Sequence, residues 1–277
     1  MAVEFPLPFE KMSGAGNDFV LIDNRKGAIP LAEQADFARK VCRRMFSVGA
    51  DGLILIEDCG EADFRWQFYN ADGSVAEMCG NGSRCAARFA FRAGITGREM
   101  TFSTLAGIIS ARVGEQEEIV SVKMTDPCDF RLGLSVTLDE QEYPVSFVNS
   151  GVPHAVIFVE GEVPVTAWGR SVRYDKQFEP AGTNVDFVWL KEDGIKVRTY
   201  ERGIEGETMA CGTGAVAAAL YAAMQKGYES PVSVETLGGD TNTVYFDLQD
   251  GPVAKDVFLQ GPTRLVCTGQ ITPEALI

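Results

Sequence analysis

The most constraining feature of this 277-residue sequence is that its second half repeats the plan of its first half. The motif "CGNG" beginning at Cys79 returns as "CGTG" beginning at Cys211, 132 positions later. At the same offset, "STLAG" in the first half falls on "ETLGG" in the second. Two earlier pairs, "SGAGNDFV" with "SGVPHAVI" and "GADGLILI" with "GTNVDFVW", keep the same order at offsets of 137 and 133. Four ordered matches at nearly constant spacing indicate a tandem duplication, with loop insertions that shift the offset slightly.

Each half combines many short β-type runs with one strong helical pattern. The two helical patterns, 79–93 and 211–226, begin at the repeated cysteines and end before Gly94 and Gly227, since glycine commonly terminates a helix. A further surface helix is predicted at 31–45 from the helical spacing of its apolar residues. The predicted strands are "FVLID", "LILIE", "FRWQFY", "MTFST", "IISARV" and "VSVKM" in the first half, and "VSFVN", "HAVIFVE", "VDFVWL", "IKVRTY", "VSVET" and "TVYFDL" in the second.

The two central helices differ in their polar residues. Arg84, Arg88 and Arg92 follow one another at four-residue spacing, which predicts that the first helix keeps one solvent-exposed edge. The second helix is mostly alanine and other apolar residues, which predicts burial on nearly all sides. These patterns predict an α/β (α+β) fold of two pseudo-symmetric halves, 1–122 and 123–262, with each helix enclosed by a curved mixed or antiparallel sheet. We expect the active site in the cleft between the halves.

Composition narrows the class of partner. The chain carries 25 Lys and Arg against 39 Asp and Glu, a formal charge of −14. This charge argues against nucleic acid and anionic membranes, because both require a basic face, and it favours a small-molecule ligand. The chain begins without a signal-peptide pattern, and its longest apolar stretch, 209–224, is shorter than the roughly 20 residues that span a bilayer, so we expect a cytoplasmic protein. The seven cysteines show no zinc-type spacing, so neither a metal site nor a full disulfide framework is predicted.

The repeated cysteines stand where a helix can bind an anion. The first N–H groups of a helix lack intrahelical partners and carry the positive end of its dipole. The glycines after each cysteine leave these donors open to a carboxylate. The helix terminus favours thiolate by about 0.3–1 kcal/mol, rarely ~2, which is roughly one pKa unit, whereas burial opposes it. Two such cysteines in one closed site are therefore expected to share a proton, as one thiol and one thiolate.

A thiolate can remove a proton from one face of a carbon while a thiol delivers a proton to the opposite face. That exchange inverts a stereocentre, so the residues alone indicate racemisation or epimerisation of an α-amino acid without a cofactor. A single Cys-Gly-x-Gly turn is more often a packed structural cysteine, but the second, symmetric copy favours catalysis. A thiol redox or ligand-binding protein on the same fold is the alternative from a different class.

A set of specific motifs extends along nearly the whole chain: "KMSGAGNDFVLID", "VGADGL", "FYNADGSVAEMCGNGSRCAARF", "STLAG", "NSGVPHAV", "TNVDF", "YERGIEGETMACGTGA" and "TLGGD". These motifs resemble those of the diaminopimelate epimerase family, cofactor-independent enzymes of lysine and cell-wall biosynthesis. The resemblance implies interconversion of LL- and meso-2,6-diaminopimelate, no cofactor, and a homodimer. It also implies two similar α/β halves, with the last segment, 263–277, returning to the first half. "CGNG" together with "ACGTG" and "YERG" separates the sequence from the related proline racemases.

The resemblance assigns roles to individual residues. Cys79 and Cys211 correspond to the acid/base pair that acts from opposite sides of the α-carbon. His154, the only histidine, and Glu201 correspond to groups that assist the cysteines and the amino group of the substrate. Arg202 corresponds to the residue that pairs with the carboxylate of the distal, non-reacting centre. The implied substrate-binding set is Asn17, Asn70, Gly80, Asn81, Asn184, Glu201, Arg202, Gly212 and Thr213, without a metal ligand.

Two positions depart from the family pattern. Val152 stands in "GVPH" where well-known members have Gly-Asn-Pro-His, so it cannot make the hydrogen bond that the Asn side chain makes to the substrate. Gly52 stands where several members have Gln. Both departures concern the distal end of the substrate, so a racemase or epimerase of another amino acid is the alternative among enzymes.

Overall fold

The computed structural model describes residues 3–76 and 78–277, and the chain divides into two units. One unit comprises the chain up to Val122 together with Pro262–Ile277, and the other comprises Lys123–Gly261. Each unit contains a set of paired strands, a central helix and a cysteine motif. Among the described residues, no helix combines the length and the apolar character that crossing a membrane requires.

Strands and helices are numbered in chain order through both units. They are β1 Leu7–Gly14, β2 Asn17–Asp23, α1 Leu31–Val41, β3 Gly52–Glu57, β4 Phe64–Asn70, α2 Gly80–Arg92, β5 Glu99–Thr104, β6 Gly107–Val113, β7 Ile119–Lys123, β8 Cys128–Leu138, β9 Gln141–Asn149, β10 Pro153–Phe158, α3 Val165–Arg173, β11 Asn184–Lys191, β12 Gly194–Glu201, β13 Gly206–Thr208, α4 Gly212–Lys226, β14 Val232–Glu235, β15 Thr241–Gln249, β16 Val253–Pro262 and β17 Arg264–Ile271. Two short 3-10 helices, Lys176–Phe178 and Pro273–Leu276, complete the set.

The first unit pairs its strands in the order β17, β1, β2, β3, β4, β5, β6, β7. The pairs β2 with β3 and β4 with β5 are parallel, and the others are antiparallel. Because parallel neighbours need a crossover connection, a helix lies in each of these two links. They are α1 and α2.

The second unit follows the same plan in the order β8, β9, β10, β11, β12, β14, β15, β16. Again two pairs are parallel, β10 with β11 and β12 with β14, and α3 and α4 occupy their crossovers. The short β13 adds an antiparallel partner to the end of β12. The two units therefore share strand order, the sense of each pairing and the positions of both helices, which is the structural form of the sequence repeat.

In each unit the sheet curves around its second helix. α2 packs against β1, β2, β3 and β6, and α4 packs against β9, β10, β11, β12, β14 and β15. Strands from distant positions in the sheet contact the same helix, so the sheet wraps around it. The other helix covers the opposite face, where α1 joins one apolar core and α3 another. The predicted fold class, with a helix enclosed by a curved sheet in each half, is confirmed.

The sequence patterns located most elements correctly. All twelve predicted strands are present, and three of them, in β7, β10 and β14, end one or two residues earlier than predicted. Cys79 and Cys211 are the N-caps of α2 and α4, and Gly227 closes α4 in the left-handed conformation with φ +77°. The prediction for α1 was too long, because the helix ends at Val41 rather than at residue 45. α3 was not predicted.

The expected solvent-exposed edge of α2 is wrong at its first position. Arg84 has 0% of its surface exposed, because its guanidinium turns back along the helix to Asn81 and Gly80. Arg88 is partly buried and donates to Thr263 O at 2.7 Å. Four-residue spacing places arginines on one face of a helix, but it does not say whether the enclosing sheet covers that face.

Candidate active site

Cys79 lies at the N-cap of α2, directly before the first helical residue. Its backbone is extended, with φ −151° and ψ 115°, as is usual for an N-cap. Its half-buried Sγ accepts a hydrogen bond from Gly82 N–H at 3.4 Å, and its carbonyl accepts one from Ser83 N–H at 2.8 Å. The sulfur therefore takes the place of the usual capping oxygen, beside the first amide donors of the helix.

Asn17, the first residue of β2, presents its side-chain amide to this thiol. Cys79 Sγ–H donates to Asn17 Oδ1 at 3.5 Å, and Asn17 Nδ2 donates to Asp51 Oδ2 at 2.7 Å. Because a carboxylate can only accept hydrogen bonds, the contact with Asp51 fixes which end of the amide faces the cysteine. The Asn17 oxygen therefore serves as an acceptor for the thiol.

A charged network at the start of β2 holds Asp51. Asp51 accepts hydrogen bonds from Asp18 N–H at 3.1 Å and from Arg44 at 2.8 Å. Arg44 also bonds Asp18 Oδ1 at 2.6 Å, and Lys11 Nζ lies 3.1 Å from Asp18 Oδ2. Burial raises the pKa of the Asp18 carboxyl, but hydrogen bonds from Arg44 and Lys11 outweigh burial and leave the pKa below its usual value. Asp18 thus stays charged and supports the orientation of Asn17.

Gly80 and Asn81 begin α2, so their N–H groups are among the donors that no helix carbonyl accepts. The side chain of Asn81 faces away from this role, because Arg84 Nη2 donates to Asn81 Oδ1 at 2.8 Å. Arg84 Nη1 also donates to Gly80 O at 3.5 Å. The backbone amides, rather than the Asn81 side chain, are therefore what this turn can offer to a carboxylate.

Asn70 and Gly52 are paired across β4 and β3. Asn70 Nδ2 donates to Ser74 Oγ at 3.0 Å. A Cβ atom at position 52 would lie 2.5 Å from Phe68 Cε2 and 2.8 Å from Tyr69 O. Neighbouring strands therefore restrict position 52 to glycine, and a glutamine there would require Phe68 and the β4 backbone to move.

Cys211 takes the equivalent place on α4, as an N-cap with φ −117° and ψ 116°. Its Sγ lies 3.4 Å from Thr213 Oγ1, and its carbonyl accepts a hydrogen bond from Ala215 N–H at 2.9 Å. Ser150 Oγ donates to Thr213 O at 2.9 Å, which ties the first turn of the helix to the loop before β10. Gly212 and Thr213 supply the first amides of α4, as Gly80 and Asn81 do in α2.

Strands β10, β11 and β12 bring polar side chains together next to α4. His154 pairs with Asn184 in the β10–β11 register, and Asp186 pairs with Thr199 in the β11–β12 register. Side chains two residues apart in a strand share a face, so Asn184 and Asp186 lie on the same side of β11. His154 Nδ1 lies 2.7 Å from Asp186 Oδ2, and Nε2 lies 2.9 Å from Thr213 Oγ1. A hydrogen-bonded chain thus leads from Asp186 to the hydroxyl beside Cys211.

Glu201, at the end of β12, accepts a hydrogen bond from Thr208 Oγ1 of β13. Burial raises the pKa of the Glu201 carboxyl, and the bond from Thr208 opposes that rise only in part. Burial also raises the pKa of the Cys211 thiol well above its usual value, and the negative charges of Glu201 and Asp186 add to the rise. Cys211 is therefore a thiol at neutral pH and needs a proton acceptor before it can act as a base.

Asn184 and Arg202 are joined through the backbone. Arg202 N–H donates to Asn184 Oδ1 at 2.8 Å, which directs Asn184 Nδ2 towards Pro153 O at 3.0 Å and His154 Nε2 at 3.5 Å. The Arg202 guanidinium donates to Ala181 O at 3.1 Å. The roles of Asn184 and Arg202 in holding a substrate stay predictions.

The structure gathers the predicted residues into one group per unit. In the first unit, Asn17 and the Gly80–Asn81 amides surround Cys79, whereas Asn70 makes its side-chain bond to the β4 turn. The group of the second unit consists of His154, Asn184, Glu201, Arg202, Gly212 and Thr213 with Cys211.

Several polar residues around these groups were not singled out by sequence reasoning. Asp186 and Thr199 are buried beside His154, Thr208 bonds Glu201, and Asp51 orients Asn17. Asp186 had a signal in the sequence, because it lies two residues after Asn184 and interrupts an otherwise apolar strand. An aspartate on the buried face of a strand requires partners, which predicts a polar group on the neighbouring strands.

Four of the other five cysteines differ from these two in exposure, and Cys59 is half-buried but lies in a loop. Cys85 is wholly buried and Cys42 nearly so, and burial raises the pKa of each thiol to about 12. Cys128 and Cys267 are exposed. Within the described ranges, no three His, Cys, Asp or Glu side chains are grouped so that they could hold a metal ion.

Comparison with known proteins is consistent with this geometry. The family model described as "Diaminopimelate epimerase" matches residues 9–128 and 146–256. The diaminopimelate epimerase of Aquifex aeolicus is 48% identical over 283 residues, covering 98% of this chain and 99% of the relative. The diaminopimelate epimerase of Chlorobaculum tepidum is 42% identical over 267 residues, covering 94% of this chain and 100% of the relative.

A similar fold is found among solved structures of low sequence identity. The phenazine biosynthesis protein of the PhzF family from Bacillus anthracis superposes with a TM-score of 0.73 at 16% identity, covering 97% of this chain and 100% of that one. This likeness concerns the fold alone. The family match over most of the sequence and the identity to full-length relatives show that the chain belongs to the diaminopimelate epimerase family.

Proposed function

We propose that this chain is an isomerase that interconverts LL- and meso-2,6-diaminopimelate through Cys79 and Cys211. Family membership and the names of its relatives support the reaction. The choice of residues is supported by one repeated feature. In each unit, a half-buried cysteine is the N-cap of the helix that the sheet encloses.

The proposed chemistry moves protons only. One cysteine, as thiolate, takes the proton from the α-carbon, and the C–H electron pair remains on the carbon as a carbanion conjugated with the carboxylate. The other cysteine, as thiol, delivers its proton to the opposite face of that carbon. The pair ends with its protonation states exchanged, so the reverse reaction starts from the state in which the forward reaction finishes.

The backbone amides of the two helix N-termini supply the electrostatic part of this proposal. Amides at Gly80 and Asn81, and at Gly212 and Thr213, are preorganised donors for the carboxylate next to the reacting carbon. Negative charge grows on that carboxylate as the α-proton leaves, so donors fixed beforehand lower the barrier. Asn17, Asn70, Asn184 and Arg202 are assigned to holding the substrate. Arg202 is assigned to the carboxylate of the distal centre, and Glu201 assists at the amino group.

Gly52 and Val152 bear on substrate identity. Phe68 leaves no room for a side chain at position 52, and Val152 offers no polar group. The distal end of the substrate thus has two fewer side-chain partners than the family pattern supplies. An epimerase of another amino acid is the second candidate, and a panel of amino acids in one assay separates the two.

The proposal also covers where the protein is located, whether it forms oligomers and whether it needs a cofactor. A biosynthetic enzyme of this family that acts on a small amino acid fits a cytoplasmic site, a homodimer and catalysis without a cofactor. Sedimentation of the purified protein checks the homodimer. Full activity after exhaustive dialysis and carbonyl-reagent treatment checks the absence of pyridoxal phosphate.

Deuterium exchange tests the proposed reaction directly. In heavy water with a thiol reductant and no added pyridoxal phosphate, LL- and meso-diaminopimelate should each acquire deuterium at one α-carbon while the other isomer accumulates. Mass spectrometry measures the label, and chiral chromatography measures the isomers. If diaminopimelate stays unlabelled while a different amino acid acquires deuterium, that amino acid is the substrate instead. If no amino acid acquires deuterium, the proposal is wrong.

A further inference from the structure

We propose that Asp186 is a positioning residue that holds His154 in one tautomer, so that His154 Nε2 accepts the proton of Cys211 through Thr213. The inference rests on the proposed function and deepens it, because it names how the half-buried Cys211 thiol can become a base. All of the residues involved lie within the second unit.

The contacts at Nδ1 determine which ring nitrogen carries the proton. Asp186 Oδ2 lies 2.7 Å from His154 Nδ1, and the other carboxylate oxygen accepts from Thr199 Oγ1 at 2.7 Å. His154 and Asp186 are both 0% exposed, so no solvent competes for these bonds. An ionised carboxylate can only accept, which requires the proton of a neutral imidazole to be on Nδ1.

The contacts at Nε2 require the same tautomer independently. Arg202 N–H occupies Asn184 Oδ1 at 2.8 Å, so the NH₂ end of Asn184 is the end that faces Nε2 at 3.5 Å. A donor already faces Nε2, and the Thr213 hydroxyl lies 2.9 Å away. An Nε2 without a proton accepts from the Thr213 hydroxyl and presents its lone pair to the more distant Asn184 donor, whereas an Nε2–H would face that donor hydrogen to hydrogen.

This tautomer sets the direction of hydrogen bonding towards Cys211. Thr213 Oγ1–H donates to His154 Nε2, which leaves the Thr213 oxygen free to accept from Cys211 Sγ–H at 3.4 Å. Cys211 passes its proton to Thr213 as Thr213 passes its own to His154. The S–H bond breaks, an N–H bond forms at Nε2, and the result is a Cys211 thiolate with a His154 imidazolium beside the Asp186 carboxylate.

The surrounding charges explain why such a relay is needed. In the described part of the second unit, the titratable groups that face His154 and Cys211 are Asp186 on β11 and Glu201 on β12, and both carry negative charge when ionised. Burial and these two charges raise the pKa of the Cys211 thiol. A proton placed on His154 compensates them, because it introduces a positive charge between Asp186 and Cys211 without removing a proton from the site.

The tautomer can be measured because His154 is the only histidine in the chain. We expect ¹⁵N-histidine NMR of the reduced, tag-free protein near pH 8 to show one imidazole with a protonated Nδ1 and an unprotonated Nε2. An Nε2–H tautomer in active wild-type protein would overturn the inference and leave the epimerase proposal standing. The spectrum needs no turnover, so it gives an answer even if the proposed reaction is wrong.

Kinetics of Asp186→Asn test the function of the tautomer, with Thr199→Val as the matched control. Asp186→Asn should lower kcat on the order of 10²–10⁴-fold with KM nearly unchanged, the range expected when a buried carboxylate no longer holds an imidazole. Thr199→Val removes the other bond to the same carboxylate and should stay within about fivefold of wild type.

The pH profile separates this role from a simple charge effect. If Asp186 acts through His154, kcat of Asp186→Asn should reach half of its maximum at a higher pH than kcat of the wild type. The reason is that Cys211 of the variant must lose its proton to solvent. If Asp186 only repels the thiolate, its removal lowers that midpoint, which would overturn the inference. Equal losses in both variants, with no shift of the midpoint, would also overturn it. Where Asp186→Asn does not fold, the wild-type NMR spectrum decides alone.

Discussion

Asn17 Oδ1 accepts a hydrogen bond from Cys79 Sγ at 3.5 Å, while Asp51 holds the other end of the same amide at 2.7 Å. The Asn17 side chain thus connects the Cys79 thiol to the charged network of Asp51 and Arg44. We expect Asn17→Ala to lower kcat/KM by about 10- to 100-fold, the effect of losing one or two hydrogen bonds in a transition state. Gln270→Ala, an exposed polar truncation in the same unit, should leave kcat/KM unchanged. Equal kcat/KM values for both variants would contradict a role for Asn17.

The sequence predicted the elements that depend on local chemistry. Both helix N-termini followed from glycine-flanked cysteines, and both C-termini from Gly94 and Gly227. α3 was missed because its nine residues include a glycine and three β-branched side chains, so its local helix signal is weak. The repeat itself contained the missing information: α1 begins at Leu31, and an offset of 134 positions, close to the offsets of the sequence repeat, leads to the start of α3 at Val165.

The polar groups of the site were harder to predict because they depend on strand register. Asp186 lies inside an apolar run, and its partners His154 and Thr199 come from 32 and 13 positions away along the chain. Arg84 was expected in solvent because the helix pattern alone does not reveal the enclosing sheet. The cysteines could be found from one motif and its copy, whereas their supporting residues required the pairing of β10, β11 and β12.

Replacement of the two N-cap cysteines tests their assignment within the site. We expect Cys79→Ala and Cys211→Ala each to lower epimerisation by more than ~10³-fold, because proton removal and proton delivery are both required. Matched controls are the exposed cysteines, Cys267 in the first unit and Cys128 in the second. Their alanine variants should retain wild-type rates. Chiral chromatography gives the rates, and circular dichroism checks that all four variants fold.

If only one of the two variants, Cys79→Ala or Cys211→Ala, loses epimerase activity, the two-base proposal is wrong. A one-base mechanism would then remain, and label from solvent would be partly replaced by the original proton.

Arg84 should contribute to folding far more than its position in the sequence suggests. Arg84→Ala leaves the buried Asn81 Oδ1 without its donor at 2.8 Å and opens space against the sheet, so we expect a loss of about 2–4 kcal/mol in the free energy of unfolding. Arg92→Ala, in the same row of α2 but exposed, should change it by less than ~0.5 kcal/mol. Urea unfolding followed by circular dichroism measures both. Similar values for the two variants would show that burial of Arg84 is not important for stability.

Gly214 has no room for a side chain beside Asp186. A Cβ atom there would lie 2.4 Å from Asp186 Oδ1 and 3.1 Å from Thr199 Oγ1. Gly214→Ala should therefore displace the carboxylate, destabilise the protein by about 1–3 kcal/mol and lower kcat together with it. Gly206→Ala is the matched control, since nothing lies within 4 Å of the added atom. Thermal unfolding that is unchanged in Gly214→Ala would contradict the packing described for α4 and β11.

Glu201 should make stability depend on pH in the direction opposite to most carboxylates. Burial raises its pKa in the folded chain above the ordinary 4.5, so the folded state holds this proton more tightly than the unfolded state. The contribution of Glu201 to the free energy of unfolding is therefore largest below pH 4.5. It is lost as pH rises through the pKa of the folded state, because a charged carboxylate must then stay buried. Glu201→Gln keeps an acceptor for Thr208 but cannot ionise.

The melting temperature of Glu201→Gln relative to wild type should therefore increase between pH 4 and pH 8, while epimerase activity falls because the group beside Cys211 no longer titrates. Differential scanning calorimetry at several pH values measures the first effect, and the chiral assay measures the second. Glu207→Gln is a useful comparison, since Glu207 on the adjacent strand is paired with Arg198 and its loss should lower stability instead. A constant difference in melting temperature across this pH range would mean that folding does not raise the pKa of Glu201, and would contradict this prediction.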